Sequence, residues 1–129
     1  MNGTILLVDD DAAMVDLLTT ILNRTGFGVV STTNPRTALA FLNSVIPDLI
    51  ISDFMMPDFN GTELCEQIRL KPQLESVPIL ILSGNNDRAA LQRCLQAGAT
   101  EYAIKPVPSY ILIGTVHRLL ESRPNSSQV

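Results

Sequence analysis

Four short apolar runs in this chain each end in a polar residue suited to handling phosphate: Val8-Asp9-Asp10, Ile51-Ser52-Asp53, Ile81-Leu82-Ser83 and Ala103-Ile104-Lys105-Pro106. If the runs are parallel strands of one sheet, their carboxyl ends meet along a single edge, where open α/β sheets bind ligands. Carboxylates, a hydroxyl and an ammonium then converge from distant parts of the chain.

The segments between the runs carry helical patterns, so strands and helices alternate as in successive βαβ units, and the expected fold is a doubly wound α/β sheet. The first strand is Thr4 to Val8. Met14, Leu17, Leu18, Ile21 and Leu22 recur at three- and four-residue intervals and predict a helix from about Asp11 to Arg24, ended by Gly26. Phe27 to Ser31 reads as the second strand, and Asn34-Pro35 starts a helix that runs through Leu42. Leu49 to Ser52 is too short and too apolar for anything but a buried third strand ending at Asp53, and the loop 55–61 follows. A third helix turns Leu64 and Ile68 inward and stops before Lys71-Pro72. The fourth strand is Ile79 to Leu82, and a helix capped by Asn86 or Asp87 ends at Gly98. The fifth strand is Tyr102 to Ile104, and the last helix spans about Pro108 to Glu121. That makes residues 1–121 one domain and 122–129 a polar tail or the start of a linker.

A formal charge of -4 offers no basis for gripping a nucleic-acid backbone, so direct nucleic-acid binding is not expected. The chain has no apolar stretch of membrane-spanning length, and Met1-Asn2-Gly3 is unlike a signal peptide, so a cytoplasmic location is expected. Cys65 and Cys94 lack the spacing of a zinc site and read as reduced helix residues.

Asp9 and Asp10 repel each other and therefore favour a bound cation; a set of carboxylates, a main-chain carbonyl and water suits Mg2+ (or Mn2+) better than zinc. Either acid alone is explained by helix capping, and Asp53 alone by a turn. Two acidic strand ends at one edge call for a common explanation. Beside a metal, Asp53 can act as a carboxylate nucleophile toward phosphorus, with the Lys105 ammonium and the Ser83 hydroxyl sharing the charge of the transferred group.

Asp9-Asp10, Asp53 with Met56-Pro57 and Asn60-Gly61, Ser83-Gly84, Gly98-Ala99, Tyr102 and Lys105-Pro106 together resemble the response-regulator receiver domain over about Thr4 to Glu121. The resemblance implies a five-stranded parallel sheet in the order 2-1-3-4-5 with five helices, an order that periodicity alone does not supply. It implies transfer of a phosphoryl group to Asp53 from a phosphohistidine on a sensor histidine kinase or phosphotransfer protein. Mg2+ would be held by Asp9 or Asp10, Asp53 and the Met55 carbonyl. It further implies a switch in which Ser83 moves toward the phosphoryl group and Tyr102 turns inward, changing the surface of helix four, strand five and helix five. The Lys105-Pro106 bond is expected to be cis. Val107 and the serine at 83 depart from the commonest pattern without removing a reacting group. Met55 and Asn85 flank the expected pocket, and a methionine that cannot activate water predicts slow to intermediate self-dephosphorylation.

On the last helix, Leu112, Val116 and Leu119 face inward and Tyr110, Ile111, Gly114, His117 and Arg118 outward, a surface suited to phosphorylation-dependent homodimers. The kinase is expected near helix one and the Pro106-Val107 loop. Such a domain catalyses only its own phosphorylation and dephosphorylation. Two other classes share the strand-end geometry. A metal-dependent hydrolase would pass through an aspartyl phosphate, and a flavodoxin-like module would need the phosphate loop that is absent after the first strand.

Overall fold

In the computed structural model, which describes residues 3–57, 59–84 and 86–122, strands and helices alternate without exception. The order is β1 (Thr4–Val8), α1 (Ala12–Arg24), β2 (Gly28–Thr32), α2 (Pro35–Phe41), β3 (Leu49–Asp53) and α3 (Gly61–Arg69). A 3-10 turn (Pro72–Leu74) leads to β4 (Ile79–Ser83), α4 (Arg88–Ala97), β5 (Glu101–Ile104) and α5 (Ser109–Ser122). All strand pairs are parallel, and the sheet order is β2-β1-β3-β4-β5.

Strand side chains alternate between the two faces, and this sorts the core into two layers. Leu6, Val8, Ile50, Ile79 and Ile81 pack against Ala38 of α2, Leu64 and Ile68 of α3, and Ala90 and Cys94 of α4. Ile5, Leu7, Leu49, Ile51, Leu80 and Leu82 pack against Val15, Leu18 and Leu22 of α1 and Leu112, Val116 and Leu119 of α5. β3 and β4 are buried along their whole length because helices cover both faces.

The helix starts follow from their capping chemistry. Asp11 accepts from the Ala13 and Met14 amides, Asn34 from the Arg36 amide ahead of α2 with Pro35 at its first position, and Asp87 from the Ala89 amide. Asn60 and Glu63 form a reciprocal capping box on α3. Of Asn86 and Asp87, it is Asp87 that caps α4.

The inward face of α1 differs from the expected stripe. The buried line is Val15, Leu18 and Leu22, while Leu17 is 55% exposed. At 100° per residue, Leu17 lies well round the helix from the centre of that line, and Met14 and Ile21 fall between the two, half-buried. Boundaries move by a residue or so elsewhere: β2 begins at Gly28, β4 reaches Ser83, β5 begins at Glu101, and α5 takes in Ser122, one residue beyond the expected end of the domain. Helix ends and strand ends shift this much because their last hydrogen bonds depend on neighbours. The expectations for residues 123–129 and for Asn85 lie outside the described residues.

Candidate functional site

Parallel registration brings the strand ends level. Val8 lies opposite Ser52, Asp53 opposite Leu82, and Ser83 opposite Ile104, so the residues that follow them share one edge of the sheet. Asp9 is 1% exposed and Asp53 8%, whereas Asp10, one residue on, is exposed. The chain thus separates two adjacent aspartates that composition alone treats alike.

Asp9 is fixed on both sides. Its amide donates to the Thr32 carbonyl at 3.2 Å, and its Oδ1 accepts from the Asp11 amide at 2.9 Å. Its Oδ2 meets Lys105 Nζ at 3.2 Å. The same ammonium lies 3.1 Å from Asp53 Oδ1, which also accepts from the Phe54 amide at 2.9 Å. Lys105 is itself placed by its amide, which donates to the Ser83 carbonyl at 2.7 Å, and the following peptide bond to Pro106 is cis as expected. One cation from the end of β5 therefore bridges acids from the ends of β1 and β3.

The electrostatics follow from that sharing. Burial raises the pKa of the Asp53 carboxyl, and the nearby Asp9 charge adds to the rise, against the lowering pull of Lys105 and the Phe54 amide. Burial alone would lower the Lys105 ammonium, but its hydrogen bonds and charge interactions with Asp53 and Asp9 outweigh burial and raise its pKa. The site holds a charged lysine against two carboxylates and remains short of positive charge.

Asp9, Asp10 and Asp53 each offer a carboxylate oxygen, all within 4.8 Å of one another. An all-oxygen set containing one exposed member fits a hard divalent cation that retains water in its shell, as Mg2+ does. Ser83 is fully buried at the end of β4. Tyr102 is half-buried on β5 and packs against the core layer of α2, α3 and α4. Met55 is 60% exposed in the loop after β3. The two cysteines are free and buried on α3 and α4, where burial pushes the Cys65 thiol up to about 12. That leaves them as packing residues.

Sequence reasoning passed over one neighbour of the site. Arg36, next to the Asn34-Pro35 helix start, places its guanidinium carbon 5.5 Å from the centre of the Phe59 ring. Arg36 follows β2 and Phe59 follows β3, and nothing in their spacing signals the contact.

A five-stranded doubly wound sheet with an acid, acid, hydroxyl and lysine at its carboxyl edge defines a phosphate-handling α/β protein. Residues 5–117 match the model of the response regulator receiver domain, and the chain belongs to that family. It is 32% identical over 120 residues to the DNA-binding response regulator MtrA of Mycolicibacterium paratuberculosis, covering 93% of this chain and 52% of MtrA. It is 34% identical over 120 residues to the phosphate regulon transcriptional regulatory protein PhoB of Rhizobium meliloti, covering 93% of this chain and 53% of PhoB. The chain spans about half the length of these relatives.

Among solved structures, the receiver domain of a signal transduction histidine kinase from Syntrophus aciditrophicus superimposes with a TM-score of 0.86 at 35% identity, covering 98% of both chains. The receiver domain of sensor histidine kinase PA1611 from Pseudomonas aeruginosa gives a TM-score of 0.87 at 26% identity, covering 95% of this chain and all 100% of that one. It carries a magnesium ion in its active-site cleft. Receiver domains act in two-component phosphorelays, which is the role the sequence implies for this chain.

Proposed function

We propose that Asp53 is the phosphoacceptor of this receiver domain. A carboxylate oxygen of Asp53 attacks the phosphorus of a phosphohistidine on a sensor histidine kinase or phosphotransfer protein. The new O–P bond forms as the P–N bond breaks, and the electron pair stays on the imidazole. The observation that carries this is the Lys105 ammonium at 3.2 Å from Asp9 and 3.1 Å from Asp53, which puts a fixed cation beside the nucleophile.

Asp9, Asp10 and Asp53, with the Met55 carbonyl, are the residues that would hold Mg2+ (or Mn2+), which when bound supplies charge neutralisation for the transferred group. Lys105 and the Ser83 hydroxyl take the remaining equatorial charge. Ser83 and Tyr102 carry the switch to the α4, β5 and α5 surface, and Pro106 sets the turn that presents Lys105. The receiver unit extends through Ser122, the last residue of α5. Its chemistry is confined to its own phosphorylation and dephosphorylation. No described helix is long and apolar enough to cross a membrane.

Incubation with acetyl phosphate and Mg2+ followed by intact mass tests the assignment. One phosphoryl adduct is expected on wild type and none on Asp53→Ala, with Lys105→Ala strongly slowed. An adduct that persists in Asp53→Ala overturns it.

A further inference from the structure

The carboxylate cluster is continuous with a groove of about 300 Å3 that runs between the turn after β2 and the loop after β3. Asp10 belongs to both the cluster and the groove, and Arg36 and Phe59 stand on its walls. Hydrogen bonds tie down residues on both walls. On one, the Arg36 amide donates to Asn34 Oδ1 at 2.8 Å, the Asn34 amide to Thr32 Oγ1 at 3.1 Å, and Pro35 is buried. On the other, the Gly61 amide donates to the Phe54 carbonyl at 2.8 Å behind the Asn60 and Glu63 capping box.

Arg36 lies over the Phe59 ring, and stacking of this kind orients a guanidinium without consuming its N–H donors. Among the described residues the ion pairs are those of Lys105 and Arg118, and none involves Arg36. Among the described residues the groove therefore presents a cation without an ion-pair partner, next to a site whose nucleophile is 8% exposed. A protein that delivers a phosphoryl group to Asp53 comes into near contact with the carboxylate cluster, and Asp10 joins that cluster to the groove of Arg36. Covering a guanidinium without a partner is costly, and covering it with a carboxylate is not.

We propose that Arg36, held on Phe59, is a specificity-determining residue for the phosphodonor: it selects a phosphohistidine protein that carries an acidic side chain beside its histidine. Like charge at that place on the donor is rejected. The selection rests on Asp53 being the phosphoacceptor, and it lies on the side of the site away from the Pro106-Val107 loop.

The probe is one helical phosphohistidine phosphotransfer domain made in two versions, with glutamate or lysine on the exposed surface one helical turn from the histidine. The readout is the ratio of initial transfer rates from the two versions, so overall losses cancel. An ion pair at a partly covered rim predicts a wild-type preference for the glutamate version of roughly five- to tenfold. Arg36→Ala abolishes the glutamate preference, bringing the ratio to one or below because Asp10 stays in the groove, and Arg36→Glu inverts it. Arg36 is exposed in the first turn of α2, where glutamate suits the helix dipole, and circular dichroism verifies that both variants fold. Phe59→Leu, which keeps an apolar side chain but removes the stacking face, gives an intermediate ratio. Equal rates from the two donors on wild type, a ratio unmoved by Arg36→Glu, or no transfer from either donor overturns the inference. Failure of acetyl phosphate to label wild-type Asp53 overturns the phosphoacceptor assignment instead.

Discussion

Lys105 serves two buried acids at once, and that imbalance governs what single substitutions do. Asp53→Asn removes one of two carboxylates competing for one ammonium while Asp9 keeps its partner, so metal-free stability rises by about 1 kcal/mol as phosphorylation is lost. The sign with pH follows from the raised Asp53 pKa. Folding disfavours the ionised form, so the penalty is present at neutral pH, shrinks as pH falls through the folded pKa, and vanishes below the ordinary value of 3.8. The stability gap between Asp53→Asn and wild type, measured by urea unfolding in chelator, therefore narrows from neutral pH toward pH 4. Lys105→Ala does the opposite at neutral pH. It leaves both acids without their cation and costs about 2–3 kcal/mol, read as a lower urea midpoint.

At the scale of elements, α4 is anchored at its C-terminal end. Gly98 sits at φ 122, a left-handed region that glycine alone enters at low cost, and an added Cβ would collide with the Arg69 side chain. Arg69 in turn donates to the Gly98 carbonyl at 3.0 and 2.8 Å and to the Leu74 carbonyl at 2.6 Å, tying α3, the 3-10 turn and the end of α4 together. Gly98→Ala is expected to cost about 2–3 kcal/mol, visible as a lower thermal midpoint, because strain and the clash add. Asn60→Ala, which opens the α3 capping box, costs about 1 kcal/mol by the same assay. On α5 the inward residues are those the periodicity indicated, and Tyr110 and Ile111 stand out at 74% and 45% exposed. The outward Arg118 is held by a two-pronged pair with Glu101 of β5, at 2.8 and 2.7 Å, so α5 and the sheet edge present one surface. Phosphorylation-dependent pairing through that surface predicts a dimer by light scattering with beryllofluoride and Mg2+, and a monomer without them.

For the molecule as a whole, a divalent cation held by the carboxylate cluster would act as a folding ligand. Three acids sit within reach of one ion, and anything that binds the native state alone stabilises it by mass action. Mg2+ at about a hundred times its dissociation constant is expected to add roughly 2.7 kcal/mol over protein in chelator. Differential scanning calorimetry reads this as a rise in the midpoint, and Asp53→Ala together with Asp9→Ala removes most of it. The order of the sheet makes this possible, because β1 and β3 are neighbours while α1 leaves β1 to one face and α3 leaves β3 to the other, and the crevice opens between their ends.

Residue order by itself determined that strands and helices alternate, that Asp9, Asp53, Ser83 and Lys105 each close a strand, and that Leu112, Val116 and Leu119 face inward. Those properties are written in short-range periodicity and capping, which depend on neighbours a few positions away. Only the tertiary structure decided that Asp9 is buried while Asp10 is exposed, that Leu17 leaves the core line of α1, and that Arg36 stacks on Phe59. Each of these depends on which distant segment packs alongside, and the burial that moves the Asp53 and Lys105 pKa values is a property of the packed interior that no local pattern encodes.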